Sequence, residues 1–289
     1  MVRFMKLSFA LAMLPCLPIS SLGHHGTGPD ALANPLGHVK ALYFENSTSF
    51  GLGPGEATAN ILNIKPIWPV SYGNWNFVNR VVLPVIYLEG QSNDVDPEKL
   101  EQARLRGIEL GSGGELSLGR DDSFGLGNTT VQTFLARHKP GKLIWGLGPA
   151  LTLPTHTDNQ LGADKWSAGV ACMLLAAPGR WVFSGVAQNV WSFAGSGTRE
   201  INRFAFEYIL NYKLGNGWFL ASSPNITANW EAESGDRWTV PVGGGIGRVI
   251  KSRNFPATLK LEALANVAKP RFAPDWSIQV SLNFLFPNF

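Results

Sequence analysis

Hydrolytic chemistry at a membrane surface needs a histidine, a hydroxyl nucleophile and a polar group that orients the ring. The chain offers His38 and His138 near strand ends and His156 within Thr155-His156-Thr157-Asp158. No His-x-Ser or Gly-x-Ser-x-Gly arrangement accompanies them, so a lipid-acting enzyme is a third reading, with His156 its test residue. His24-His25 lacks partner ligands, and Asp94, Asp96, Glu98 and Glu101 do not follow the spacing of a calcium loop. Asp121-Asp122 reads as a solvated acidic turn or as a pair bridging lipopolysaccharide through a divalent cation. Gly243-Gly244-Gly245-Ile246-Gly247-Arg248 imitates a phosphate cradle without the strand–turn–helix context; glycines relieving crowding in a bent strand explain it more simply. The sequence therefore assigns no catalytic residue, no metal and no cofactor.

The remaining charges have another pattern. Lys65, Arg80, Arg203, Glu207, Lys260 and Glu262 each sit within an extended stretch. In residues 201–214, Phe204, Phe206, Tyr208, Leu210 and Tyr212 share one parity. Arg203, Ala205, Glu207, Asn211 and Lys213 share the other, with Ile209. Residues 256–267 repeat the pattern, Leu259, Leu261, Ala263 and Ala265 opposing Lys260, Glu262 and Asn266. Alternation places the two sets on opposite faces of a strand. An Arg or Lys facing lipid at the bilayer midplane costs about 2–4 kcal/mol, so these six charges are expected to line a polar lumen. Mixed signs suit either a salt-bridged plug or a polar path.

The elements that would hold them culminate in the last stretch, Trp276-Ser-Ile-Gln-Val-Ser-Leu-Asn-Phe-Leu-Phe-Pro-Asn-Phe289. Large apolar residues occupy one parity, and the chain stops on an aromatic, Phe289, read as an assembly signal. Eleven further strands are expected at 36–46, 57–68, 76–88, 125–137, 142–153, 165–176, 180–193, 201–214, 217–230, 237–250 and 256–267, with the last at 275–286. Most exceed the 5–6 residues typical of globular strands and approach the 9–11 tilted residues that cross a bilayer. An even number suits single-chain bacterial barrels. Pro66, Pro84, Pro149, Pro224 and Pro241 fall inside these strands, where each removes a ladder donor, and predict bulges. The strand at 181–193 shows no clear parity.

Connections alternate between short turns rich in Gly, Pro, Asn and Lys and longer loops, the asymmetry of a barrel with its turns in the periplasm. The longest loop, 89–124, holds helix signals in 96–107: Asp at the N-cap, Pro next, acids early and basics late. That helix either lids the outer mouth or shields its rim.

The bulk numbers agree. Of 289 residues, 45% are hydrophobic and 16% charged, against roughly 25% charged in soluble domains. No basic cluster points to nucleic acid. Arg3 and Lys6, the apolar run 7–14 and Ser21-Leu22-Gly23 read as a secretory signal over 1–23, followed by a flexible leader, 24–35, and a barrel, 36–289. Cys16 raises a lipoprotein alternative; its loss would leave Cys172 unpaired. After residue 23 no apolar run is long enough for a spanning helix.

Ten tryptophans, Trp68, Trp75, Trp145, Trp166, Trp181, Trp191, Trp218, Trp230, Trp238 and Trp276, lie within a few residues of strand ends. A soluble core would scatter them through strand centres. Amphipathic rings gain at headgroup level, so the placement predicts two girdles at the membrane interfaces. The expected fold is all-β, a transmembrane antiparallel up-and-down barrel of about twelve strands.

Seven motifs in order carry a family resemblance: Gly146-Leu-Gly-Pro-Ala-Leu-Thr-Leu-Pro-Thr155, Lys165-Trp-Ser-Ala-Gly169, Trp191-Ser-Phe-Ala-Gly195, Trp230-Glu-Ala-Glu233, Trp238-Thr-Val-Pro-Val242, Pro274-Asp-Trp276 and Phe284-Leu-Phe-Pro287. Over residues 34–289 the chain resembles a Gram-negative outer-membrane "transporter" family assigned to a phenol-degradation pathway, whose members sometimes carry the label neuromedin U-like. It departs from that family in 89–124, where 96–107 is extra material. The resemblance implies a porin-like barrel taking up small organic, including aromatic, compounds, with no catalytic residues. The partners expected are outer-membrane lipid and lipopolysaccharide, the barrel-assembly machinery acting on the C-terminal strand, and a small organic solute. The alternative is a structural or surface-interaction barrel with a lumen filled by side chains.

Overall fold

The computed structural model describes residues 40–286 apart from 107, 110–114, 138–142, 197–199 and 252–254. The secretory segment 1–23, the leader 24–35, His24, His25, His38, His138 and Phe289 lie outside the described residues. Twelve antiparallel strands run in order around a closed barrel. They are β1 (Lys40–Leu52), β2 (Ala57–Tyr72), β3 (Trp75–Leu88), β4 (Ser123–Leu126 and Thr129–Arg137), β5 (Leu143–Leu153) and β6 (Lys165–Ala176). The second half holds β7 (Trp181–Gly195), β8 (Asn202–Gly215), β9 (Trp218–Ser222 and Asn225–Asn229), β10 (Trp238–Ile250), β11 (Ala257–Ala268) and β12 (Trp276–Phe286). β1 closes on β12 without interruption from Lys40↔Phe286 to Phe50↔Trp276. No sheet edge is left in the wall, which is the condition for a sheet to span lipid.

Expected and observed strands agree within a residue or two except at β1 and at the end of β2, which was expected at 68 and runs to Tyr72. β1 was expected at 36–46; residues 36–39 lie outside the described residues, and from Lys40 the strand continues past 46 to Leu52. Its polar run pairs with β12, Ser47 opposite Gln279 and Ser49 opposite Ser277, so residues that read as a loop belong to the ladder. The connection to β2 shrinks to four residues, still longer than the two-residue turn that follows between β2 and β3. Tight turns dominate the other end; Asn216 and Gly217, both at positive φ (49° and 83°), form the two-residue turn whose twist matches the flanking strands.

The prolines mark interruptions. β9 breaks at Ser223-Pro224, and the register with β11 shifts at Pro241. β4 breaks at 127–128 opposite Pro84, whose carbonyl accepts from Gly127. Beside Pro149 the β4–β5 ladder skips from Leu135↔Leu147 to Gln132↔Ala150, and beside Pro66 the β2–β3 ladder skips from Ile64↔Leu83 to Ile67↔Arg80. In β10 a Cβ on Gly245 would lie 1.8 Å from the Leu261 carbonyl oxygen; only glycine permits so close an approach.

Loop 89–122 folds over one mouth. It carries α1 (Pro97–Arg106), whose first turn is capped by Asp96 Oδ1 accepting from the Glu98 amide at 2.9 Å. A two-residue hairpin follows, Ile108 opposite Leu116. Leu100, Ala103, Ile108, Leu116 and Leu118 join one buried apolar cluster with Ala59 and Ile61 of β2, Ile86 and Leu88 of β3, Leu161 between β5 and β6, and Ala273 between β11 and β12. Contributors from separated parts of the wall converge, so the loop caps the mouth and does not merely skirt its rim. Gln91 pins it, donating to Leu52 O at 3.2 Å and accepting from the Gly55 amide at 2.8 Å. Arg120 donates to the carbonyls of Ser92 and Val95. Below the cap, β3 and β4 resume pairing at Leu88↔Ser123.

Candidate functional site in the barrel lumen

Strand alternation places Lys65 of β2, Arg80 of β3 and Glu207 of β8 on the inner face. There they meet across the barrel. Lys65 Nζ lies 2.9 Å from Glu45 Oε1 and 3.0 Å from Glu207 Oε1. Arg80 donates Nη2 to Glu207 Oε2 and Nη1 to Gln132 Oε1, the latter at 2.9 Å; Gln132 in turn donates to Gln188 Oε1 at 2.7 Å. Lys65 is 1% exposed. The group is charge-balanced, two cations against two carboxylates, and it bridges β1, β2, β3, β4, β7 and β8. A buried ion pair contributes little net stability unless its geometry is good and its remaining donors are satisfied; the glutamine chain supplies that satisfaction.

Lys260 and Glu262 form a second buried group on β11. Lys260 Nζ lies 3.0 Å from Glu262 Oε2. Both bond to the hydroxyl of Ser223 at the break in β9, which accepts from Lys260 at 2.6 Å and donates to Glu262 at 2.5 Å. Arg203 shares the inner face of β8 with Glu207, four residues nearer the capped mouth.

Several partners carried little signal in the sequence. Glu45 lies in Phe44-Glu45-Asn46-Ser47, which read as the end of a strand entering a loop. Gln132 and Gln188 are uncharged, and Gln188 belongs to the strand without parity.

The ionic bridge is the ceiling of a cavity of about 380 Å³. Its wall is mainly apolar: Ile67, Val78, Phe134, Met173, Leu175, Val182, Val186, Phe219 and Leu285, with Tyr43, Arg80, Glu207 and Lys260 toward the ceiling. Lys213, Gly215, Gly217 and Lys251 lie at the uncapped end. One mouth is therefore covered by the loop, the middle is crossed by charges, and the other half is a greasy vestibule.

The ten tryptophans are between 36% and 59% exposed. Trp68, Trp75, Trp145, Trp181 and Trp218 stand near the end with the tight turns; Trp166, Trp191, Trp230, Trp238 and Trp276 stand near the capped end. Between the two rings the outer surface carries exposed Leu147, Val170, Leu220, Ile246, Leu261 and Val280.

His156 lies in the loop between β5 and β6. Its Nδ1 is 2.8 Å from Asn128 Oδ1 and its Nε2 is 3.2 Å from Asp164 Oδ1. Asn128 donates to Ala163 O, which fixes its oxygen toward the ring. Both ring nitrogens are engaged, and the ring serves as a strut between loop segments. Nearby, Glu200 accepts from Ser192 Oγ at 2.5 Å and lies 3.6 Å from Lys165; the serine hydroxyl, then the lysine charge, hold its carboxyl below the usual range. Asp122 of Asp121-Asp122 accepts from the Gly90 amide at 2.9 Å and from Tyr87 Oη at 3.0 Å, and these bonds, the amide's foremost, lower its carboxyl likewise. It closes the base of the cap. Among the described residues no three His, Cys, Asp or Glu side chains are grouped to hold a metal.

A closed, even-stranded antiparallel barrel with an apolar exterior and a charged interior defines an outer-membrane β-barrel protein. Residues 45–257 match the family described as "Putative MetA-pathway of phenol degradation", and the chain belongs to that family. An outer membrane channel from Pseudomonas putida F1 has the same fold, with a TM-score of 0.57 at 16% identity over 86% of this chain and 94% of that one. More distant likenesses include the CymD monoaromatic hydrocarbon channel (TM-score 0.39, 9% identity, 90% and 91% covered). Another is the outer membrane phospholipase A from Escherichia coli (TM-score 0.40, 10% identity, 86% and 90% covered). No curated protein matches the chain. Neither the family description nor these structures carries the neuromedin U-like label.

Proposed function

We propose that the protein is a passive outer-membrane channel for small organic solutes, held shut at two points. The observation that carries this reading is the apolar-walled cavity that ends at Arg80 and Glu207, the latter held in turn by Lys65. A lumen needed only for structure would be filled by side chains; this one keeps a ligand-sized space, within the roughly 300–1,000 Å³ of small-molecule sites. The family's description, which names phenol degradation, and the Pseudomonas neighbour, which is a channel, support the same reading. Passage requires the ionic bridge to part and the cap to lift.

The rest of the molecule takes its place around that pathway. The two tryptophan rings act as girdles at the headgroup levels, with lipopolysaccharide around the capped end and the periplasm at the uncapped one. Residues 1–23 direct export, and the last strand, Trp276–Phe286, engages the assembly machinery. No step of covalent chemistry is assigned: His156 is committed to Asn128 and Asp164.

The charge bridge also favours a second reading, a static barrel whose loops bind partners. Liposome swelling separates the two. Purified protein should admit arabinose and phenyl glucoside faster than empty liposomes do, and faster still once residues 90–121 are replaced by a short Gly-Asn turn. No flux from either protein would leave the static barrel standing.

A further inference from the structure

The cavity's charges are uneven. Arg80, Lys213, Lys251 and Lys260 line it against one acid, Glu207. Two of those cations are already answered: Arg80 by Glu207 and Lys260 by Glu262. The other two stand at the uncapped rim, Lys213 near the end of β8 and Lys251 just after β10, and among the described residues neither has a carboxylate partner. Behind them the wall is apolar, formed by Phe134, Met173, Leu175, Val182, Phe219 and Leu285. A greasy chamber whose entrance carries two unanswered positive charges is complementary to one kind of small molecule.

We propose that this vestibule selects organic monoanions, an aromatic ring or short chain inward and a carboxylate outward between Lys213 and Lys251. The assignment rests on the reading of the cavity as the solute site and adds the charge class of the solute. Size agrees: an apolar cavity of about 150 Å³ already takes benzene, so about 380 Å³ leaves room for a ring with its side chain. Polarity agrees too. A neutral hydrocarbon would satisfy the wall and ignore the rim, and a cation would meet two like charges before reaching Glu207, which Lys65 and Arg80 already hold. The carboxylate stays at the wet rim, so it need not be fully desolvated, while the ring gains by leaving water.

Isothermal titration of the full-length barrel in detergent tests this with three near-isosteric probes: phenylacetate, phenylacetamide and phenethylamine. Phenylacetate should bind roughly fivefold tighter than the amide, the scale two partly screened charges supply, and the amine should bind weakest. The advantage should fade with added salt. The double variant Lys213→Gln/Lys251→Gln should equalise acid and amide without weakening the amide, and Lys213→Arg/Lys251→Arg should restore the difference. Equal affinities in the unmodified protein, or a preference that survives the glutamine pair, would overturn the proposal. The liposome experiment keeps the two readings apart: solute flux without anion preference removes only this inference, and anion preference without any flux removes only the channel.

Discussion

Glu207 on β8 reaches across the barrel to Lys65 on β2, their Oε1 and Nζ atoms 3.0 Å apart. Five strands of sequence lie between the two residues, yet they share one ion pair, because closing the sheet brings their inner faces opposite each other. Glu207 also takes Arg80 on its second oxygen, so a single carboxylate ties two cations on neighbouring strands to the far wall.

Removing that carboxylate should be felt twice. Glu207→Gln leaves Lys65 and Arg80 buried with only Glu45 between them, and breaking one side of a buried charged group costs about 3–5 kcal/mol. Urea unfolding of the barrel in lipid vesicles should show a loss of that order. Planar-bilayer conductance should rise in the same variant, since the crossbar is cut. A variant as stable and as silent as the parent would mean the bridge neither holds nor closes the lumen.

On the outer face the sign of the experiment reverses. Leu261 is more than half exposed and flanked by Val280 and Ile246, between the tryptophan rings. Leu261→Arg should cost about 2–4 kcal/mol of folding free energy in vesicles. No cost would place that surface in water.

Leu100 of α1 is buried in the apolar cluster under the cap. Leu100→Asp sets a carboxylate there without a partner and should open the loop. The expected result is rapid proteolysis within 89–122, while the barrel itself stays resistant and keeps its unfolding midpoint. Protection equal to the parent's would show that the cluster does not hold the cap.

Glu200 gives a pH signature outside the membrane-spanning strands. Its carboxyl is lowered first by the Ser192 hydroxyl and then by Lys165. A depressed carboxyl contributes above its unfolded value and loses that contribution as pH falls through the folded one, so contacts around Glu200 should loosen only on the acid side of the ordinary glutamate range. In an NMR titration its carboxyl midpoint should lie below the ordinary glutamate range, and Ser192→Ala should move it upward. A midpoint unchanged by that substitution would remove the hydroxyl as the cause.

His156→Ala should increase protease cleavage in 154–164, because the strut between Asn128 and Asp164 is lost. Hydrolysis of a fluorescent phospholipid should stay at background before and after. Activity that disappears with the ring would restore the enzyme reading.

The strands were legible because two constraints of a spanning barrel, length and alternation, are written locally. β8, β11 and β12 show this: each buries small or charged residues inward and shows large apolar ones outward. β7 was illegible for a physical reason. Its inner face mixes Val182, Val186 and Val190 with Ser184 and Gln188, and its outer face mixes Gly185, Ala187 and Asn189 with Trp181, Phe183 and Trp191. Where the lumen is apolar, the rule that inward means polar has nothing to read. The same fact hid the cavity, since its wall looks like any hydrophobic sequence. The six charges marked for the lumen could be listed from parity, but who meets whom depends on closure. Glu45 stood within the strand expected at 36–46, but that it meets Lys65 is set by the register of β1 on β2.

The cap leaves and rejoins the wall at paired positions, Leu88 beside Ser123. Everything between them is, for the cylinder, a parenthesis: it can lengthen, shrink or change composition while every ladder bond below remains as it was. A lineage could thus alter which compounds reach its interior by exchanging this one insert, and two relatives with superimposable walls need not admit the same cargo.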